Sequence, residues 1–294
     1  MRAGVSASCV ALPHGAWPRL IDFLAERLPA VTSAQWQQRM ARGCVLDEEG
    51  RLLAPDTPYR GGTRVYYYRE LDSEPVIPFE ETIVYQDGHL LVADKPHFLP
   101  VTPTGRYVQQ TLLVRLKRRT GLENLSPIHR IDRETAGLVL FSVRPQDRGA
   151  YQALFRDQVV EKAYEAIAPL RPDLPLPQVH RSRIVADEQF FRQREVAGEP
   201  NSETRIELAE ARGTLALYRL YPMSGKTHQL RVHMNALGRP IVGDLFYPDV
   251  VHGPGAAHED HGNPLRLLAQ ALAFTDPVTG RERHFESQRQ LAWP

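Results

Sequence analysis

Apolar and polar positions follow two different rhythms along this chain. Near the N-terminus, Leu20, Phe23, Leu24 and Leu28 recur at helical spacing after Pro18, which suits the first turn of a helix. A second helix is predicted over residues 33–42, with Ser33 as its cap and Gly43 as its stop. Cys44, Val45 and Leu46, an Asp-Glu-Glu-Gly turn and a short strand over 64–69 follow. Residues 1–16 are weakly patterned and read as a tail or an edge strand, and 70–79, with Pro75 and Pro78, as a linker.

From Glu80 onward the rhythm is mostly that of strands. Residues 83–85 and 90–93 flank a Gln-Asp-Gly turn, 162–167 alternate, and 203–209 and 214–221 form a second hairpin about Arg212 and Gly213. Residues 138–141 are apolar at every position, as in a strand covered on both faces. Helices are predicted over 107–120, from Pro145 with Ala150, Leu154 and Phe155 on one face, and around Leu230, His233, Met234 and Leu237 before Gly238. Residues 170–200, rich in proline and charge, read as loops with a hairpin near 183–185. Linked hairpins imply a mainly antiparallel sheet, and the class is α+β.

Composition adds scale. With 294 residues, 42% of them hydrophobic, the chain suits one large domain and a small one. The division expected is a tail at 1–16, a small module at 17–70, a linker at 71–79 and a main domain at 80–294. Net charge is only +1, but it is unevenly spread. Residues 41–100 hold 6 Lys/Arg against 11 Asp/Glu, whereas 101–150 hold 9 against 4. The basic excess includes Arg115, Lys117, Arg118 and Arg119, which are expected to face outward, and it suits a patch that meets phosphates. Two cysteines in no ligand spacing fit a reducing cytoplasm. No apolar segment is long enough to span a membrane, and no apolar signal core stands at the start.

The candidate chemistry gathers in two stretches. In residues 127–142, Asp132 stands between Arg130 and Arg133, on a loop entering the apolar strand. Neighbouring guanidinium groups favour the charged carboxylate that a nucleophile or base requires. His129 precedes Arg130, and Lys95 lies in an earlier Lys-Pro loop. In residues 221–244, Lys226, His228 and Arg231 lead into a helix, the last two within one turn of each other. His228 and His233 are five apart, about 140° around a helix, so they do not converge on a metal. His258, Glu259, Asp260 and His261 read as a solvated loop. A kinase is suggested only by the letters His-Arg-Ile-Asp, without a glycine-rich loop or Asp-Phe-Gly.

Three blocks resemble one family, the RluA-type RNA pseudouridine synthases. His129-Arg-Ile-Asp-Arg-Glu-Thr-Ala-Gly-Leu138 is similar to its His-Arg-Leu-Asp-Arg-x-Thr-Ser-Gly-Leu pattern. Lys162-Ala-Tyr164 resembles its Lys-x-Tyr strand, and 221–244 resembles its Thr-Gly-Arg-Thr-His-Gln-Ile-Arg block, with Ser224 and Lys226 departing. Phe98 replaces a glycine of the family's Lys-Pro loop, and Ala269 a histidine of its C-terminal strand. The two N-terminal helices and small hairpin resemble an RNA-binding module first known from a ribosomal small-subunit protein.

The resemblance implies a pseudouridine synthase fold with a central cleft, and isomerisation of specific uridines in ribosomal RNA or tRNA without a cofactor or metal. It implies that Asp132 carries the chemistry, that Arg231 pairs with it, and that Tyr164 stacks on the uracil and assists proton movement. Arg130 would fill the place of the flipped base. His129 would fix the loop, and Lys226, His228 and Lys95 would meet substrate. A monomer that binds RNA and no membrane is expected. The competing reading is a non-catalytic RNA-binding protein on the same fold, prompted by Phe98, Lys226 and Ala269. Retention of Asp132, Tyr164 and Arg231 argues for the enzyme.

Overall fold

The computed structural model describes residues 4–69, 73–173, 175–189, 191–251 and 261–294. Leu71 and Asp72 of the expected linker, and His258, Glu259 and Asp260, lie outside them. The chain divides into two compact units, Met1–Glu74 and Pro75–Pro294.

In the first unit, β1 (Ser8–Ala11), α1 (Leu20–Arg27), α2 (Ser33–Ala41), β2 (Val45–Leu46) and β3 (Arg64–Tyr67) form two helices and an antiparallel sheet of order β1-β3-β2. The first residues therefore supply an edge strand. Leu20, Leu24, Trp36, Met40 and Val65 form the core. The cap of α2 is Thr32 rather than Ser33. Its hydroxyl accepts from Gln35 N–H and the Gln35 amide returns a bond to Thr32 N–H, a reciprocal box that Ser33 could not close.

The second unit holds β4 (Thr82–Gln86), β5 (Leu90–Lys95), α3 (Leu112–Thr120), β6 (Ser126–Pro127), β7 (Ala136–Ser142), α4 (Arg148–Arg156), β8 (Glu161–Pro169), β9 (Gln178–Ala186), β10 (Gln193–Val196), β11 (Ser202–Arg212), β12 (Leu215–Pro222), α5 (Gln229–Ala236), β13 (Leu267–Thr275) and β14 (Glu282–Glu286). They form one 11-stranded sheet of order β10-β9-β11-β12-β8-β13-β7-β5-β4, with β14 on β13 and β6 on β7. Among the described residues its pairings are antiparallel except for β7 with β13.

The unbroken apolar run of β7 is explained by its place. Val139 and Phe141 pack on one face with Leu112 and Leu116 of α3, while Leu138 and Leu140 pack on the other with Tyr151 of α4. At the start of β7, Gly137 lies against β13 at φ +110°, where an added Cβ would stand 2.3 Å from the Ala269 carbonyl oxygen. Only glycine permits that approach. A third core joins β8, β11 and β12 to Leu230 and Met234 of α5.

Four further expectations need correction. Helix α3 begins at Leu112, not residue 107, because the Thr111 hydroxyl caps it by accepting from Val114 N–H. Pro75–Phe79 is not a linker. Ile77 is buried, and the Arg115 guanidinium donates to the carbonyls of Ile77 (2.9 Å) and Phe79 (2.6 Å). Arg119 similarly reaches the Glu81 carbonyl, and Lys117 is buried, so most of the basic set on α3 braces the domain rather than facing RNA. Finally, residues 178–186 form a nine-residue strand within the stretch read mainly as loops.

Candidate active site

The loop 128–135 is fastened at both sides. The Ile128 N–H donates to the Leu140 carbonyl, and His129 Nε2 accepts from the Leu140 N–H at 3.1 Å. The His129 ring also stacks on Phe155, with centroids 4.3 Å apart, and burial pushes its pKa down to about 3. It is a neutral ring used to hold the loop. From the opposite side, Lys95 Nζ donates to the carbonyls of Arg133 and Pro96, each at 3.0 Å, and His97 Nδ1 lies 2.7 Å from the Glu134 carbonyl. Lys95 is wholly buried, and burial lowers its pKa to about 7. It supports the loop from beneath and does not face the cleft. The expectation that it meets substrate is corrected accordingly.

That bracing presents Asp132 to a cleft of about 650 Å³ over the middle of the sheet. Tyr164 rises from β8, paired between Leu220 of β12 and Ala269 of β13. Arg231 comes from α5. Its Nη1 lies 3.4 Å from Asp132 Oδ2. The rest of its guanidinium is locked bidentate on Asp244, Nε to Oδ2 at 2.8 Å and Nη2 to Oδ1 at 2.6 Å. Asp244 is itself held by the N–H groups of Phe246 and Tyr247. Burial opposes the charge of Arg231, but the hydrogen bonds and charge of Asp244 outweigh it and raise its pKa. One fork of a fixed cation is therefore left for the Asp132 carboxylate.

Burial, helped by the Asp132 charge, raises the Tyr164 phenol, so it stays protonated and can donate. His228 caps α5 in the left-handed region, at φ +55°, with Nε2 3.9 Å from Asp132 Oδ2. Arg130 and Lys226 are exposed on the rim. The cleft lining holds six Lys/Arg side chains and one carboxylate, Asp132. Chemically, this is a single carboxylate beside a fixed cation, in a basic groove that an aromatic ring also lines.

Sequence reasoning missed Asp244, although it ends the 221–244 block, because nothing in its spacing announces the bidentate pair. It also missed Lys162, whose ammonium donates to the Ser224 carbonyl at 3.1 Å and is pushed down to about 8 by burial. The alternation of β8 puts Lys162 and Tyr164 on one face, and that signal was available. His228 and His233 diverge as expected. His233 Nε2 meets the Ser182 and Ser202 hydroxyls, and its Nδ1 meets Thr204. His180, Glu195 and His233 bring ligand-type atoms within 4.8 Å of one another. His180 Nε2 is taken up by Glu195 at 2.8 Å, and His233 Nε2 by the two serine hydroxyls.

Residues 89–236 match the family described as RNA pseudouridylate synthase. The chain belongs to that family. It is 32% identical over 218 residues to the dual-specificity RNA pseudouridine synthase RluA of Haemophilus influenzae, covering 73% of this chain and 95% of that protein. It is 29% identical to an uncharacterised RNA pseudouridine synthase of Synechocystis, covering 80% of both. Among solved structures, human RNA Pseudouridylate Synthase Domain Containing 4 aligns at a TM-score of 0.54 with 26% identity, over 70% of this chain and 87% of that one. Human RNA Pseudouridylate Synthase Domain Containing 1 shares the fold at 0.58 and 24% identity, over 74% of this chain and 86% of that one.

The protein is thus an RNA pseudouridine synthase, an isomerase acting on RNA. Its departures from the family pattern have structural readings. Phe98 keeps a glycine-like backbone, φ +66°, and is buried. Ala269 is the residue on which Gly137 closes.

Proposed function

We propose that this pseudouridine synthase converts specific uridines of ribosomal RNA or tRNA, with Asp132 as the residue that carries the chemistry. The observation that carries the reading is the Asp132–Arg231 contact of 3.4 Å, with Arg231 held by Asp244 at the floor of a basic cleft. The target base is flipped into the cleft and stacks on Tyr164. Arg130, exposed and planar at the rim, fills the vacated place. Lys226 and Lys162 meet backbone phosphates. Arg231 keeps the carboxylate aimed at the ribose or base while the glycosidic bond is broken and remade at carbon 5.

The test is tritium release from cellular RNA labelled at uracil carbon 5. Wild-type protein releases tritium, and Asp132→Ala loses activity by several orders of magnitude. Tritium release by Asp132→Ala equal to wild type would refute the assignment.

The N-terminal unit adds RNA affinity as a small two-helix module, a reading supported by α1 and α2 packed on a small sheet. Reversing the charge of Arg39 on its second helix and of Arg42 at that helix's C-terminal cap is expected to weaken RNA binding severalfold and leave the single-turnover rate at saturation unchanged. The enzyme works as a monomer in the cytoplasm, a reading supported by Cys9 and Cys44, neither of which is in a disulfide.

A further inference from the structure

The last step of the reaction needs a proton acceptor. Once uracil carbon 5 has joined carbon 1′ of the ribose, it still carries its hydrogen, and carbon 6 is doubly bonded to nitrogen 1. The geometry points to His228 Nε2 as the base that removes this proton, a role that rests on the pseudouridine synthase reading above.

The tautomer of His228 follows from counting protons. The Tyr247 hydroxyl lies 3.0 Å from the Gln193 carbonyl, 2.8 Å from the Gln193 N–H and 3.1 Å from His228 Nδ1. A hydroxyl has one proton and two lone pairs. The carbonyl oxygen can only accept, so at 3.0 Å the hydroxyl proton must lie between the two oxygens. The lone pairs of Tyr247 then accept from Gln193 N–H and from His228, and Nδ1 carries the ring proton. Nε2 is left bare. It faces the cleft, 3.9 Å from Asp132 Oδ2 and too far to be consumed by a hydrogen bond.

The other cleft groups are less suited. Burial keeps the Tyr164 phenol protonated. Asp132 faces Arg231 and is committed to the ribose or base in the earlier steps. Lys162 is engaged with the Ser224 carbonyl. His228 is lowered by burial despite the nearby Asp132 charge, so at neutral pH it is the free base.

The step balances as follows. Nε2 takes the proton from carbon 5, and the freed electron pair forms the bond between carbons 5 and 6. The π pair between carbon 6 and nitrogen 1 moves to nitrogen 1, which takes a proton from water. The imidazolium returns its proton to water, the exchange that tritium release reads.

His228→Asn is the first test, because asparagine tolerates a left-handed backbone and cannot act as the base. Single-turnover release is expected to fall by about 10²-fold or more, with RNA affinity within a few fold of wild type. RNA deuterated at uracil carbon 5 then reacts measurably more slowly than protiated RNA in the variant, by a larger ratio than in wild type. A merely structural role would slow both substrates equally. Release near the wild-type rate, or a loss with an unchanged isotope ratio, overturns the proposal. Tyr247→Phe, which removes the acceptor for Nδ1–H, gives a second reading. A partial loss with the raised isotope ratio supports the role, and wild-type behaviour rejects it. Absence of tritium release from wild-type protein on every RNA would instead overturn the reaction assignment.

Discussion

Arg231 is the residue on which the site turns, because its guanidinium serves two carboxylates at once. Asp244→Asn leaves a buried cation with a weakened partner, and removing one partner of such a pair typically costs about 3–5 kcal/mol. Expected outcomes are a clear fall in melting temperature by calorimetry and a lower rate at saturating RNA. Lys95 gives a contrasting case. Its ammonium holds the Arg133 carbonyl and is buried outside the cleft lining, so Lys95→Met should lower the saturating rate and leave RNA affinity nearly unchanged. A phosphate-binding lysine would do the reverse, and filter binding alongside single-turnover rates separates the two. At this scale the meeting of Asp132, Tyr164 and Arg231 in one cleft was legible, because each sits in a block of characteristic neighbours. Lys95 was misread because a lysine after a strand says nothing of which way it turns. Tyr247 was unread because its importance lies in one hydroxyl.

Elements were legible where burial imposed a period. Strands β8 and β12 alternate, and β7 runs apolar on both faces, so their cores dictated their letters. Strand β9 alternates between half-buried and exposed positions for most of its length, which left its pattern weak and its residues read as loop. The start of α3 depended on one hydroxyl, too small a signal for periodicity. Gly137 of β7 packs against Ala269 of β13 so closely that a Cβ would clash, where the sheet's parallel pair meets. Gly137→Ala is therefore expected to destabilise by more than about 2 kcal/mol and to cut activity, since the strand displaced is the one that carries the Asp132 loop. Urea unfolding followed by a rate measurement tests both.

For the whole molecule, buried neutral histidines set the acid limit. Burial lowers His97 to about 4, and His129 and His233 each to about 3. The unfolded chain takes up protons at these positions below pH ~6.5, while the folded chain does not until its own lower values are reached. Stability therefore falls as pH drops from about 6.5 toward 4, by up to about 1.4 kcal/mol per pH unit for each group. Glu134, lowered by Arg133 and Arg231 against the effect of burial, acts in the same direction. Calorimetry between pH 7.5 and 4.5 should show a steadily falling melting temperature. Charge tells a similar global story. A net charge of +1 hides a basic groove, and RNA affinity is expected to drop steeply with added salt, as counterion release requires.

The contact between Asp132 and Arg231 joins residues 99 positions apart. Neither half of the chain can organise the site alone, and long-range closures of this kind come late in folding. Catalysis therefore reports on assembly. After dilution from denaturant, ellipticity and even much of the core should return before turnover does, and the lag between them times the meeting of the two halves.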